Sequence, residues 1–353
     1  MVRLIAFLFF TSLPFLALPQ NQDNPMGGGS DEWNSVTYSQ EDKIYNRSVW
    51  TFVDNPALAG FDRKLAFGYR FRMKNLAMGV PNDNGNLEVA FMKHEAFVDL
   101  PFGGPKQNWG LGLHYSHEKE LRHRYHRVQL AQSHRVKLIK DHYLVIGLSF
   151  TVLFSKLDSW DDLIFGDMID PRYGLVYPTN ELRPSDQRTL PYMNAGLRYY
   201  WKRFSFDYSV QYGPDGTWAL AGMPTSEVTN KLRAAYHFNV GDGVTISPEI
   251  VGRINTVYGR FHSTGALGSA VLKTTNNFGF FSAFATITYK DMVYGQLGIA
   301  DLNRFTFRAG YQLQDYLVIE VGGSSYLNET MKKIAGPAGV QVGIRYQIKA
   351  WNR

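Results

Sequence analysis

The chain has 353 residues, of which 44% are hydrophobic, 15% aromatic and 19% charged, with no cysteine and a formal net charge of +6. A charged fraction below the roughly 25% usual for soluble domains, together with many large aromatics, excludes intrinsic disorder. The lack of cysteine excludes a disulfide framework, a thiolate zinc site, a cysteine nucleophile and a lipid-anchored amino-terminal cysteine, while the length admits two domains or one large all-β barrel.

Residues 1–19 read as a secretory signal: Arg3 supplies the positive start, Leu4 to Leu13 the apolar run, and Pro14, Ala17 and Pro19 its end. A retained anchor is the alternative, but the run is short of the roughly 20 residues that a span requires. No later apolar stretch approaches about 18 residues. An exported chain without helical spans is either soluble in an outer compartment or a membrane barrel. Residues 20–62 form an amino-terminal segment, periplasmic or plug-forming, and residues 63–353 the barrel. Near the end of that segment stand Asn55, Pro56, Ala57, Leu58, Ala59, Gly60 and Phe61. Asn55 and Pro56 start a turn, and Gly60 permits a positive φ or a close backbone approach where the chain enters its first strand. The box either anchors a plug at the periplasmic rim or contacts a partner.

Strand alternation follows at once. Leu65, Phe67, Tyr69, Phe71 and Met73 alternate with Ala66, Gly68, Arg70 and Arg72. The same period recurs from Phe204 to Tyr212, from Phe305 to Leu313 and from Val340 to Ile348. About 14 such segments fall at 64–74, 86–99, 108–118, 122–137, 141–155, 191–201, 203–213, 230–240, 243–254, 277–289, 292–300, 304–313, 316–326 and 338–348. Most exceed the 5 or 6 residues of an average globular strand and match the roughly 9 to 11 of a tilted membrane strand. Tight turns near Asp141, Lys202, Gly241, Asp291 and Gln314 alternate with longer links at 156–190, 213–229, 255–276 and 327–337, with short exceptions near Glu120 and Asn303. The fold expected is all-β: a transmembrane antiparallel up-and-down β-barrel in the outer membrane, its lipid the surrounding partner and both termini periplasmic.

One strand face carries the largest apolar residues. The other carries small residues and Arg70, Arg72, Arg198, Arg233, Arg308 and Arg345, which a membrane barrel turns toward its lumen. A salt-bridge network with Glu88, Asp207, Glu249 and Glu320 accounts for these arginines, and an anion-selective pore is the alternative. A 14-stranded lumen is intermediate in width, so residues 20–62 or the acidic link 156–190 are its candidate plugs. That link holds Asp158, Asp161, Asp162, Asp167 and Asp170 without the spacing of a calcium loop. Seven of nine histidines lie from His94 to His142, and a hairpin centred near Glu120 would set His114 opposite His126 and His117 opposite His123. Polar cross-strand pairing explains them better than a metal. Ser116 and His117 are adjacent and so face opposite ways, and with no GxSxG or HExxH the reading is non-enzymatic, without cofactor. The basic residues are scattered through strands and form no patch for nucleic acid.

Tyr38-Ser39-Gln40, then the box from Asn55 to Phe61 just ahead of a barrel, resembles the PorP/SprF family of Bacteroidetes outer-membrane proteins. The strand containing Asn194, Ala195, Gly196 and Leu197, and its partner ending in Val210 and Gln211, look like that family's mid-barrel hairpin. The spacer between the first two elements is longer than in the family, and Trp351-Asn352-Arg353 is not the usual terminal aromatic. The resemblance implies a non-enzymatic accessory of the type IX secretion system, and a role in gliding motility where the organism glides. Its implied partners are periplasmic and lipoprotein components of the machinery and adhesin-like cargo bearing a type B carboxy-terminal domain, docked for export or surface attachment. The alternative, from a different class, is a diffusion channel for small anionic or amphipathic solutes.

Overall fold

A computed structural model of the chain describes residues 51–349 apart from the links at 62–63, 75–79, 82–86, 89–90, 103–107, 121–122, 140–141, 158–168, 171–173, 176–186, 215–225, 264–269, 291, 301, 303, 314–315 and 328–338. Residues alternating large and small at period 2 can satisfy their backbone groups only by pairing with neighbouring strands. They do so in a ring. The barrel strands are β1 (Lys64–Lys74), β2 (Phe91–Phe102), β3 (Trp109–Glu120), β4 (His123–Ile139), β5 (His142–Leu157), β6 (Gln187–Trp201) and β7 (Phe204–Pro214). The circuit continues with β8 (Ser226–Tyr236, resumed at Phe238–Gly241), β9 (Val244–Ser263), β10 (Ala270–Tyr289), β11 (Val293–Ala300), β12 (Arg304–Leu313), β13 (Leu317–Tyr326) and β14 (Gly339–Lys349). Every strand pairs antiparallel with its sequence neighbours, and β1 pairs with β14 from Lys64↔Lys349 to Lys74↔Gly339, which closes 14 strands into a barrel.

The two faces are those of a protein dissolved in lipid. Phe67, Tyr69, Leu113, Leu148, Phe150, Ile287, Leu297 and Val342 point outward and are exposed, whereas Arg70, Arg72, Glu95, Asp207, Glu249, Arg308, Glu320 and Arg345 are buried inside. A soluble barrel would do the reverse; bilayer hydrocarbon takes the apolar set, and the interior satisfies the charges. At the end with the short turns, outward-facing Trp109 lies 4.1 Å from His134, and Trp201 stacks on His142 at 5.2 Å, as amphipathic rings do at a membrane interface. The turn at Lys202 and Arg203 uses a positive φ of 50° at Lys202.

Several boundaries differ from the alternation pattern, among them that of β6, which begins at Gln187 instead of 191. The segment read as a link at 255–276 is mostly strand, since β9 and β10 stay paired out to Ser263↔Ala270. β8 begins at Ser226 instead of 230, and β2 runs from Phe91 to Phe102 instead of 86–99, with Pro101 inside the ladder opposite Gly110. The signal segment, Tyr38 to Gln40, the acidic run from Asp158 to Asp167, the Glu88 side chain and the terminal Trp351-Asn352-Arg353 lie outside the described residues.

Candidate functional site

Immediately before β1 the chain makes one helical turn, Thr51–Asp54, and one 3-10 turn, Pro56–Leu58. Asn55 joins them because its Oδ1 accepts from the Ala57 backbone N–H at 3.1 Å while its backbone stays extended at φ −133°, ψ 105°. Pro56 suits the first turn, where its fixed φ is already helical and its missing N–H is not needed. The Leu58 and Ala59 amides then donate to the carbonyls of Asn55 and Pro56 at 3.0 and 3.2 Å. Gly60 sits at φ +61°, and a Cβ there would stand 2.6 Å from the Gly110 Cα, so both the backbone conformation and the close approach require glycine.

This short segment is inside the barrel, against the wall formed by β2 to β6. Four wall glycines make the seat. A Cβ on Gly110 would fall 1.9 Å from the Ala59 carbonyl oxygen, and one on Gly147 2.2 Å from the Ala57 nitrogen. A Cβ on Gly196 would fall 1.9 Å from Asn55 Oδ1, and one on Gly112 2.7 Å from the Phe52 ring. No side chain fits between wall and segment at these points.

Around the seat, wall side chains reach the segment's backbone. Gln129 Nε2 donates to the Val53 carbonyl at 3.2 Å and Asn194 Nδ2 to that of Asp54 at 3.2 Å. Ser133 Oγ donates to the Ala59 carbonyl at 2.6 Å, and Arg135 Nη2 to that of Phe61 at 2.6 Å. In the other direction the Gly60 amide donates to Asp99 Oδ1 at 2.5 Å, and Asn55 Nδ2 to the Leu197 carbonyl at 3.2 Å. Lys231 Nζ pairs with Asp54 Oδ1 at 3.1 Å. Apolar packing completes the contact: Phe52 meets Phe97 edge-on at 6.0 Å within a cluster that includes Leu58, Ala59, Ala66 and Ala131. The Phe61 ring lies under the guanidinium groups of Arg135 at 4.9 Å and Arg198 at 4.3 Å.

Asn55, Pro56, Ala57, Ala59 and Gly60 are therefore all buried in the lumen wall contact. The six arginines occupy the same inner face at separate stations. Arg198 and Arg233 share Asp207 at 3.6 and 3.7 Å, and Arg233 reaches Glu249 at 3.0 Å, forming one chain of charge across β6 to β9. Arg308 meets Glu320 at 3.4 Å, and Tyr294 and Gln341 also donate to that carboxylate. Arg70 pairs with Glu95, which also takes Lys93 at 3.5 Å and His114 at 3.3 Å. Arg72 lies over the Phe91 ring at 5.5 Å, and Arg345, opposite Gly68, is 3% exposed. Lys93, Glu95 and Asp99 escaped the sequence reading, although their alternation with Met92, His94, Ala96 and Val98 marks them as inner-face residues.

The histidines separate into different environments. The β3–β4 turn is tighter than the sequence reading held: Glu120 pairs with His123, so His117 faces His126, and His114 faces Gln129. His114 is buried in the lumen beside Glu95, while His94, His117 and His126 line up on the outward face. Among the described residues no group of three or more His, Asp or Glu is arranged to hold a metal ion. Ser116 is buried inside, and His117, next in sequence, faces out.

The sequence profile described as "Type IX secretion system membrane protein PorP/SprF" matches residues 39–322. No curated protein matches the chain in sequence. Among solved structures, the deltaS2 mutant of the monoaromatic hydrocarbon channel TodX aligns with 85% of this chain and 94% of its own, at 9% identity and a TM-score of 0.48. A Pseudomonas aeruginosa FadL homologue aligns over 87% of this chain and 95% of its own, at 11% identity and a TM-score of 0.42. The Pseudomonas putida toluene transporter TodX does so over 85% and 93%, at 10% identity and a TM-score of 0.42. Likeness at this level says nothing about what the lumen passes.

Proposed function

The chain belongs to the PorP/SprF family of type IX secretion system membrane proteins, and from that premise we propose that it works as a non-enzymatic docking barrel of the system. One end receives or holds adhesin-like cargo through its type B carboxy-terminal domain, for export or surface attachment and for gliding where the cell glides. The other end, with the short turns and both chain ends, faces the periplasm and binds periplasmic and lipoprotein components of the machinery.

The observation that carries this reading is the seated segment. Residues 51–61 lie along the inner wall on glycines, tied by hydrogen bonds of 2.5 to 3.2 Å, which supports a held segment over a bare pore. Such a segment couples whatever precedes it in the chain to the inner wall of the barrel. The box residues act as the anchor that makes residues 20–62 a plug and a handle for the machinery.

Purification of the full chain in mild detergent, followed by mass spectrometry of what comes with it, tests the proposal. Machinery components and a cargo carboxy-terminal domain are expected with the wild type, with the machinery lost from an Asn55→Ala/Pro56→Ala variant. Stable ohmic channels in planar bilayers, losing anion selectivity on substitution of Arg70 or Arg345, with no co-purifying partner, would establish the diffusion channel for small anionic or amphipathic solutes instead.

A further inference from the structure

The outward face of the barrel is almost free of charge among the described strand side chains. Among the strand side chains described, three charged ones face outward: Lys119 on β3, Arg124 on β4 and Lys156 on β5. Their direction follows from parity, since Leu113 and Tyr115, Val128 and Leu130, and Phe150 and Phe154 on the same faces are all exposed. These three are not scattered. Lys119 stands directly opposite Arg124, and Arg124 directly opposite Lys156. They form one row across three neighbouring strands, about 10 Å from end to end.

The row lies one residue from the loop-side ends of its strands, which run to Glu120, from His123 and to Leu157. One outward step below it come His117, His126 and Phe154, with His94 beside His117. The His117 and His126 rings are 4.6 Å apart, Tyr115 Oη contacts His126 Nδ1 at 2.9 Å, and Tyr69 Oη contacts His94 Nδ1 at 2.6 Å. Below these the face is aliphatic and aromatic: Leu113, Leu130, Leu148 and Phe150. From rim to midplane the order is cations, hydrogen-bonding rings, then hydrocarbon, the order of chemistry in a lipid seen from headgroup to acyl chain.

Clustered basic side chains beside a membrane-spanning segment attract anionic headgroups. We infer that Lys119, Arg124 and Lys156, with the histidine row beneath them, form a site for a lipid whose headgroup carries phosphate, held in the leaflet on the long-loop side with its acyl chains along Leu113, Leu130 and Phe150. This goes beyond the docking role and depends only on the barrel spanning a membrane.

The test is native mass spectrometry of the full chain in mild detergent, titrated with bisphosphorylated lipid A. Wild type binds it stoichiometrically, and Lys119→Gln/Arg124→Gln/Lys156→Gln binds on the order of a hundredfold more weakly. Dephosphorylated lipid A binds wild type as weakly as the variant binds the intact lipid, and inorganic phosphate at the same concentration does not displace the lipid. Heat-modifiable migration in detergent gels confirms the variant's barrel; if the triple variant does not fold, Arg124→Gln at the centre of the row is used, with a roughly tenfold loss. Equal binding by variant and wild type, equal binding of dephosphorylated lipid, displacement by free phosphate, or a protein retained by the row in place of lipid would each overturn the assignment.

Discussion

Replacing Gly147 by leucine should empty the seat while leaving the barrel closed. The new Cβ would stand 2.2 Å from the Ala57 nitrogen, 2.3 Å from the Pro56 carbonyl carbon and 2.5 Å from its oxygen. Carbon contacts are comfortable at about 3.5 Å, so the segment must retreat by more than 1 Å for the Cβ alone and farther for the rest of the side chain. The hydrogen bond of 2.5 Å from the Gly60 amide to Asp99 and those of 2.6 to 3.2 Å from Gln129, Ser133, Arg135 and Asn194 do not survive that retreat. An overpacking cost of about 3 kcal/mol raises the fraction of molecules with the segment released by roughly a hundredfold. Chymotrypsin reads that fraction, because cleavage after Phe52, Leu58 or Phe61 needs an open segment and tracks its population. Wild type should resist, and Gly147→Leu should be cut rapidly while its heat-modifiable shift is unchanged. Gly295→Leu is the control, since a Cβ at Gly295 meets nothing within 4 Å. Equal resistance of Gly147→Leu and wild type would refute the seat.

Asn55→Ala removes the cap on the 3-10 turn and the bond to the Leu197 carbonyl, together about 2 kcal/mol, so chymotrypsin should cut this variant some twenty- to thirtyfold faster than wild type. Glu95→Gln leaves Arg70, Lys93 and His114 without their shared carboxylate; urea unfolding in lipid vesicles, followed by tryptophan fluorescence, should show a loss of about 3 kcal/mol, and a change below about 0.5 kcal/mol would mean that the cluster is solvated. Leu148→Arg puts a charge on the lipid face and should cost roughly 2 to 4 kcal/mol in the same assay, with Leu148→Gln falling between it and wild type.

Alternation revealed the strands wherever a strand has lipid on one side. It failed in β9 and β10 for a physical reason: from Asn255 to Asn276 polar and apolar residues fall on both parities, as in Val257, Tyr258, Gly259, Arg260 and Phe261, although the backbone ladder continues. A hairpin of two 20-residue strands is longer than a bilayer requires, and beyond the bilayer nothing constrains the outward positions to be apolar. Ladder length and hydrophobic period then part company. Parity likewise assigns Arg70, Arg198 and Arg308 to one face, but it cannot say which carboxylate each will meet. That depends on cross-strand register, and register turns on a single tight turn, as the His117↔His126 pairing shows.

The seat was hidden more thoroughly. Gly110, Gly112, Gly147 and Gly196 are spread over 87 positions of sequence, and each reads as an ordinary small residue on a lumen face; only closure of the barrel makes them one surface. Once they are neighbours, the composition of the box follows. Four wall side chains address the carbonyls of Val53, Asp54, Ala59 and Phe61, so these hydrogen bonds hold the path of a backbone. A backbone can come that near only if both surfaces are small, which is why Ala57, Ala59 and Gly60 meet Gly147 and Gly110. The same gap is therefore closed by enlarging either side. Ala57→Leu and Gly147→Leu should each release the segment, and because a released segment has nothing further to lose, the double variant should be no worse than the single ones. That non-additivity is the mark of residues acting through one contact, whereas additive effects would separate the box from the glycines and leave the anchor elsewhere.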